Sequence, residues 1–218
     1  MKYSAIITAG GTSSRFGNTN KLLEKINGKE IIRYTVEVFI NAGLEEIIIC
    51  ANESIIENLE HICHSESHNI KIIKGGNSRQ ESVYNGLQVA NCDYVLIHDG
   101  ARPVISTEII KNTMEAVEKY KAVSVMTKTI DTIKEVDQNG KIIKTIDRTK
   151  LYNTQTPQAF AYSLILSAHE SLKGQSFTDD AGMVEACGTD VYMVQGDYKN
   201  IKVTTKSDLA LAKVYLNE

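Results

Sequence analysis

Proline is nearly absent from this 218-residue chain: Pro103 and Pro157 are the only two. No repeat, low-complexity tract or Pro/Gly-rich linker is visible, so the expected organisation is one domain over residues 1–218. The four cysteines, Cys50, Cys63, Cys92 and Cys187, are scattered and include no C-x-x-C pair. That excludes a disulfide scaffold and points to thiols kept reduced in a cytoplasmic setting. His61, Cys63 and His64 form one close grouping, but a second ligand pair at zinc spacing is missing. No apolar run approaches the roughly 20 residues needed to span a bilayer. The short run Tyr3–Ala9 ends at Gly10-Gly11 without a cleavage site, unlike a secretory leader. A net charge of −3 argues against bulk capture of nucleic acid or an anionic membrane, so an anionic ligand would need a local cationic pocket.

The chain alternates short apolar runs with amphipathic segments. Strands are expected at Ser4–Thr8, Glu46–Ala51, Ile70–Ile73, Tyr94–His98 and Ala122–Met126. Helices are expected at Lys29–Ala42 (ended by Gly43), Ser54–Cys63, Gln80–Ala90 and Thr107–Tyr120. Near-continuously apolar strands alternating with helices imply an α/β fold, a Rossmann-like, mostly parallel sheet covered on both faces. Such sheets bind ligands at the carboxyl ends of their strands. Residues 128–149 differ: two alternating runs flank Gln138-Asn139-Gly140, the signature of a β-hairpin. A lone two-stranded arm is marginal in water, which hints that it packs on a second subunit.

Four groups could bear chemistry. Thr8-Ala-Gly-Gly-Thr-Ser-Ser-Arg-Phe-Gly17 follows the first strand and precedes Lys21. Small residues let backbone N–H groups approach phosphates, and Arg15 and Lys21 could neutralise a transferring phosphoryl group. Alone, a glycine-rich turn with two solvated cations explains it equally well. The spacing matches neither the dinucleotide fingerprint nor a Walker loop. Gly75-Gly-Asn-Ser-Arg-Gln-Glu-Ser-Val83 enters a helix; it could read a base and ribose, and Ser78 with Glu81 also has capping-box spacing. His98-Asp-Gly-Ala-Arg-Pro103 ends a buried strand. Asp99 there suits a Mg²⁺ ligand and Arg102 a phosphate, although an Asp before Gly also simply makes a turn. The last group is a set of polar clusters: Asp147-Arg148, Gln155-Thr-Pro-Gln158, Thr178-Asp-Asp180 and Asn200-Ile-Lys-Val-Thr204. Lys202 sits in a strand-like run and taken alone points to solvent; Asp179-Asp180 reads better as a helix cap than as a catalytic pair.

In this order, from Ala5 to about Ala212, these segments resemble the 2-C-methyl-D-erythritol 4-phosphate cytidylyltransferases of the non-mevalonate isoprenoid pathway. The resemblance implies a homodimer that transfers CMP from CTP to a small polyol phosphate, with Mg²⁺. CTP would lie among Ala9, Gly10, Gly11, Gly76, Asn77, Arg79, Ser82 and Ala101, with Asp99 near the metal. Arg15 and Lys21 would stabilise the transition state, and Lys202 and Arg148 would position the acceptor phosphate. Arg102, Thr132, Thr156 and Thr178 would surround the methylerythritol, Thr132 and Arg148 reaching in from the partner's arm. Two positions depart from the family pattern: Ser13 where Gly is usual, and Asn20-Lys21-Leu22 where Pro-Lys-Gln is usual. Ribitol 5-phosphate cytidylyltransferases of teichoic-acid synthesis share most motifs, but Arg79–Val83 and Thr178–Ala181 favour the isoprenoid enzymes. A non-catalytic nucleotide-binding module on the same fold would be favoured by loss of Arg15, Lys21, Asp99 or Lys202, and all four are present.

Overall fold

A computed structural model describes residues 1–11, 16, 20–63 and 69–218. In chain order the elements are β1 (Tyr3–Ala9), β2 (Lys25–Ile26), β3 (Lys29–Glu30), α1 (Ile31–Asn41), β4 (Glu46–Ala51), α2 (Ile56–Cys63), β5 (Asn69–Lys74), α3 (Arg79–Val89) and β6 (Tyr94–Asp99). There follow α4 (Thr107–Tyr120), β7 (Ala122–Lys128), β8 (Lys134–Val136), β9 (Ile142–Thr145), β10 (Tyr152–Ala161), α5 (Tyr162–Ser171), α6 (Asp180–Ala186), β11 (Tyr192–Gln195) and α7 (Lys206–Tyr215). Seven strands form the main sheet in the order β11-β7-β10-β6-β1-β4-β5. All neighbours run parallel except β10, which is antiparallel to both β6 and β7. Among the described residues no helix is long and apolar enough to cross a membrane.

Alternation along the strands builds two cores. Ala5, Ile7 and Ala9 of β1 share one face with Ile47, Ile49 and Leu96, covered by α1, α2 and α4 through Phe39, Leu59 and Ile110. Ile6 shares the other with Ile48, Val95 and Ile97, covered by α3, α5 and α6 through Leu87, Ile165 and Val184. Burial on both faces explains why these strands read as unbroken apolar runs. Helix ends follow local chemistry: the Ser106 hydroxyl accepts the Ile109 N–H at 3.2 Å to start α4, and Gly43 at φ 94° follows the end of α1.

Three features depart from the sequence reading. Lys29–Glu30 is not helical but pairs with Lys25–Ile26 across Asn27-Gly28. Both turn residues have positive φ, 52° and 83°, the combination a two-residue type I′ hairpin needs. In the arm, β8 and β9 pair as expected, but only Gly140 of the Asn139-Gly140 pair has positive φ, at 81°. Asp137 O accepts the Gly140 N–H and Asp137 N donates to Lys141 O, so the tip is a turn followed by a left-handed glycine. The Gln155–Gln158 cluster, to which no element is assigned from the sequence, lies in β10, near the middle of the sheet. The arm exposes apolar side chains; Ile130, Val136, Ile142 and Ile143 are each more than half exposed.

At the start of β4 the Glu46 carboxylate accepts from Ser4 Oγ (2.5 Å), Lys71 Nζ (2.7 Å) and the Asn91 N–H (3.0 Å). Burial alone would raise its pKa, but Lys71, Ser4 and Asn91 outweigh burial and hold it below the usual value of 4.5. As pH falls the unfolded chain therefore takes up this proton first. The stabilisation is present above about pH 4.5 and is lost as pH drops through the folded pKa. Glu46→Gln is expected to cost about 1–3 kcal/mol at pH 7 and to flatten the acid limb of stability measured by urea unfolding. An acid limb as steep as that of the parent protein would contradict this account.

Candidate active site

From β1 the chain builds outward through β4 and β5, then returns to place β6 on the other side of β1. That reversal opens a crevice at the carboxyl ends of β1 and β6, where parallel α/β sheets bind ligands. A cavity of about 420 Å³ occupies it. Of the residues expected from the sequence, Ala9, Gly10, Gly11, Lys21, Gly76, Asn77, Arg79, Ser82, Asp99, Ala101 and Lys202 line this one cavity. Thr8, Ser78 and Thr204, members of the candidate groups without a site role named for each, line it as well, as does Leu22. Arg15 and Ser13 lie outside the described residues.

One wall is the loop entering α3. The Ser78 hydroxyl accepts the Glu81 N–H at 3.0 Å and caps the helix, as expected. The Glu81 carboxylate, however, accepts the Asn77 N–H at 2.8 Å rather than reaching back to Ser78, so a capping box does not close. Ser82 Oγ accepts the Gly76 N–H at 3.0 Å and donates to Ser78 O at 2.8 Å. The loop is shaped by its own side chains, with small residues facing the cavity.

The floor is the turn after β6. Gly100 N donates to Thr8 O at 3.0 Å, and its carbonyl accepts from Thr35 Oγ1 at 3.1 Å. A Cβ on Gly100 would lie 2.8 Å from Ile32 Cδ1 and 3.1 Å from Thr8 O, so the close approach of β1 and β6 requires glycine. Asp99, 6 % exposed, is met by three cations: Lys202 Nζ at 2.9 Å, Arg79 Nε at 3.4 Å and Arg102 Nε at 3.5 Å. Burial pulls its pKa upward, but Lys202 first, then Arg79 and Arg102, hold the carboxyl well below the carboxylate range. Behind it His98 is fully buried; burial pushes its pKa down to about 3, so it is neutral. Its Nδ1 is 3.0 Å from Thr156 Oγ1, and that hydroxyl accepts the Asp99 N–H at 3.1 Å. His98 thus supports the floor from behind and does not face the cavity.

Lys202 does not point away from the site. Residues 201–204 form no strand; Val203 N donates to Ala101 O at 2.8 Å, which ties this segment to the floor and turns Lys202 onto Asp99. Its side chain remains 44 % exposed and so has room to move. Arg102 and Thr156 sit behind the cavity rather than in it: Arg102 Nη1 donates to Asn200 O at 2.7 Å, and Thr156 serves Asp99 and His98. Thr178 is exposed just before α6, whose cap is Asp179, as expected. Thr132 and Arg148 lie on the arm and do not line the cavity. Among the described residues no group of three His, Cys, Asp or Glu could hold a metal ion; His64 lies outside them.

A family model described as 2-C-methyl-D-erythritol 4-phosphate cytidylyltransferase matches residues 3–218. The chain belongs to this family. A cytidylyltransferase of that name from Clostridium beijerinckii is 42 % identical over 223 residues, covering 98 % of this chain and 97 % of the relative. One from Caldanaerobacter subterraneus subsp. tengcongensis is 40 % identical over 227 residues, with both chains fully covered. Among solved structures, the 4-diphosphocytidyl-2C-methyl-D-erythritol synthase of Anaerococcus prevotii superposes with a TM-score of 0.89 at 32 % identity, covering 100 % of this chain and 96 % of that one. The 2-C-methyl-D-erythritol 4-phosphate cytidylyltransferase of Thermus thermophilus gives 0.85 at 26 % identity with full coverage of both chains.

In this cytidylyltransferase the Asn20-Lys21-Leu22 departure has a clear local role. Asn20 Oδ1 accepts the Leu22 N–H at 3.0 Å and caps a single 3₁₀ turn, Lys21–Leu23, with Leu22 buried as its anchor. The capped turn presents Lys21 to the cavity. On the opposite side, Thr156→Val should leave the Asp99 N–H and the His98 ring without their partner, costing about 1–3 kcal/mol in denaturant unfolding, with Thr156→Ser recovering most of it. Equal stability of the Val and Ser variants would contradict the role given to this hydroxyl.

Proposed function

We propose that this enzyme transfers CMP from CTP to 2-C-methyl-D-erythritol 4-phosphate, releasing pyrophosphate and 4-diphosphocytidyl-2-C-methyl-D-erythritol. The observation that supports this reading most is the cavity itself. It combines backbone loops with Lys21, Arg79 and Lys202 around one carboxylate that is unfit to act as a base. An acceptor phosphate monoester is already largely anionic at neutral pH and needs no deprotonation. Its oxygen attacks the α-phosphorus in line, and pyrophosphate leaves. Catalysis then consists of positioning, with Lys202 and Arg148 at the acceptor phosphate, and of cations facing the developing charge, with Lys21 and Arg15 in that role.

Among the described residues the donor set does not fit a resident, protein-held metal. It does fit one Mg²⁺ brought by the nucleotide, which takes one or two carboxylates and substrate phosphates. Asp99 would hold it, with the half-exposed Lys202 turning to the phosphates; the bound ion would neutralise and orient phosphate charge. Arg102 and Thr156 brace the floor from behind, and the exposed Thr178 is left as the candidate contact to the methylerythritol. Thr132 and Arg148 reach the acceptor from the arm of a second copy, so the working form is a homodimer. The exposed Ile130, Val136, Ile142 and Ile143 support burial of the arm there. A cytoplasmic location completes the reading, on the scattered cysteines of the sequence.

Pyrophosphate release from CTP and Mg²⁺, with methylerythritol 4-phosphate and ribitol 5-phosphate side by side, tests it. Release with the first acceptor alone is expected, and kcat should fall about 10²-fold in Lys202→Ala. Mixing inactive Arg148→Ala and Lys202→Ala proteins should restore part of the activity. Release with ribitol 5-phosphate alone would overturn the acceptor; no restoration in proven mixed dimers would overturn the shared site.

A further inference from the structure

Asp180 opens α6 and is 1 % exposed; it does not line the cavity. Its Oδ2 lies 2.7 Å from Arg79 Nη2, whereas the same guanidinium offers Nε to Asp99 Oδ1 at 3.4 Å. One cavity cation is thus shared unequally between a hidden carboxylate and the floor carboxylate. Asp180 is itself firmly placed. The fully buried Gln158 of β10 accepts the Asp180 and Ala181 N–H groups on Oε1, both at 3.0 Å. It donates Nε2 to Asp179 Oδ2 at 2.8 Å and to Ser124 Oγ at 3.1 Å. A second tie joins the same two regions: Gln80, next to Arg79, donates to Gln175 O at 3.0 Å and accepts the Phe177 N–H at 3.2 Å. His169 is buried nearby, and burial lowers its pKa; Arg79 is the cation paired with Asp180 among the described residues.

A guanidinium freed from Asp180 has, among the described residues, one carboxylate left that it already meets, Asp99. Closing on it would form a tight buried pair across the floor of the cavity, which the nucleotide would then have to open against lost Coulomb and hydrogen-bond energy. We infer that Asp180 is a positioning residue for nucleotide binding. It holds Arg79 against the start of α6, so that Asp99 stays available to the nucleotide's phosphates and their cation. The inference rests on the reading of the cavity as the CTP site.

The test is calorimetric titration of CTP with Mg²⁺, without acceptor, into the full-length protein. Asp180→Asn keeps the shape of the side chain, and its Kd for CTP should rise about 10-fold, as losses of outer-shell partners do. In an Arg79→Gln background the same change should have little further effect, because no guanidinium is left to release. Asp180→Ser, smaller and hydrated, should match Asp180→Asn and serves in its place should the amide fail to fold. In turnover, KM for CTP should rise while KM for the acceptor holds, a split that general loosening of the fold would not produce. CTP binding as tight as, or tighter than, the parent's in the Asp180 variants would overturn the inference, as would an equal loss in both backgrounds. Failure of the parent protein to bind CTP would overturn the nucleotide reading with it.

Discussion

The site depends on one constraint: a nearly buried carboxylate, Asp99, must stay charged at the bottom of the crevice. Burial opposes that, and three cations from separate parts of the chain outweigh it. Arg79 comes from the first turn of α3, Arg102 from the turn after β6, and Lys202 from the segment before α7. Each is fixed by neighbours that otherwise look incidental. Asp180 holds Arg79, the Asn200 carbonyl holds Arg102, and the Val203–Ala101 backbone bond delivers Lys202. Removing one partner of such a group strands a buried charge, which costs far more than the net contribution of the intact group. The same balance decides the chemistry. A carboxylate neutralised by three cations is a poor proton acceptor, and the buried neutral His98 is turned to Thr156 and Arg102 O. Among the described residues, what remains on the proposed reading is a site that places charge and moves no proton.

Much of the sheet was legible because its parallel strands are buried on both faces and so read as Ile/Val runs, as in Glu46–Ala51 and Tyr94–Asp99. β10 was not legible, although Gln155, Thr156 and Gln158 are as buried as any of them. Their polar atoms are satisfied by partners remote in sequence, Asp197 O, His98, Ser124 and Asp179, and no local pattern encodes such partners. The two Asn-Gly pairs show the same limit from the other side. Asn139-Gly140 stands between alternating runs that spell a hairpin, and a hairpin forms there. Asn27-Gly28 joins strands of only two residues, too short for a period, yet it is the pair in which both residues have positive φ.

The candidate site followed a similar division. Loops that end strands converge on one edge by topology alone, so Gly10, Gly76 and Asp99 could be grouped from the sequence before any side chain was placed. Side-chain direction could not. Lys202 faces Asp99 because the backbone around it bonds to the floor, not because of its apolar neighbours. Thr156 and Arg102 belong to the same neighbourhood but support the floor from behind. In the sequence Asp180 reads as part of a cap with Asp179. The capping belongs to Asp179 alone, while Asp180 faces Arg79, a pairing visible only once α3 and α6 meet.

The central claim, transfer through fixed charge without proton movement, is tested most directly by the single-turnover rate with saturating CTP, Mg²⁺ and acceptor in H₂O and in D₂O. The account predicts rates that agree closely at a pH where the acceptor phosphate is fully ionised. A clear slowing in D₂O, accompanied by a rate that follows the ionisation of an enzyme group, would place a proton in the transition state and contradict it.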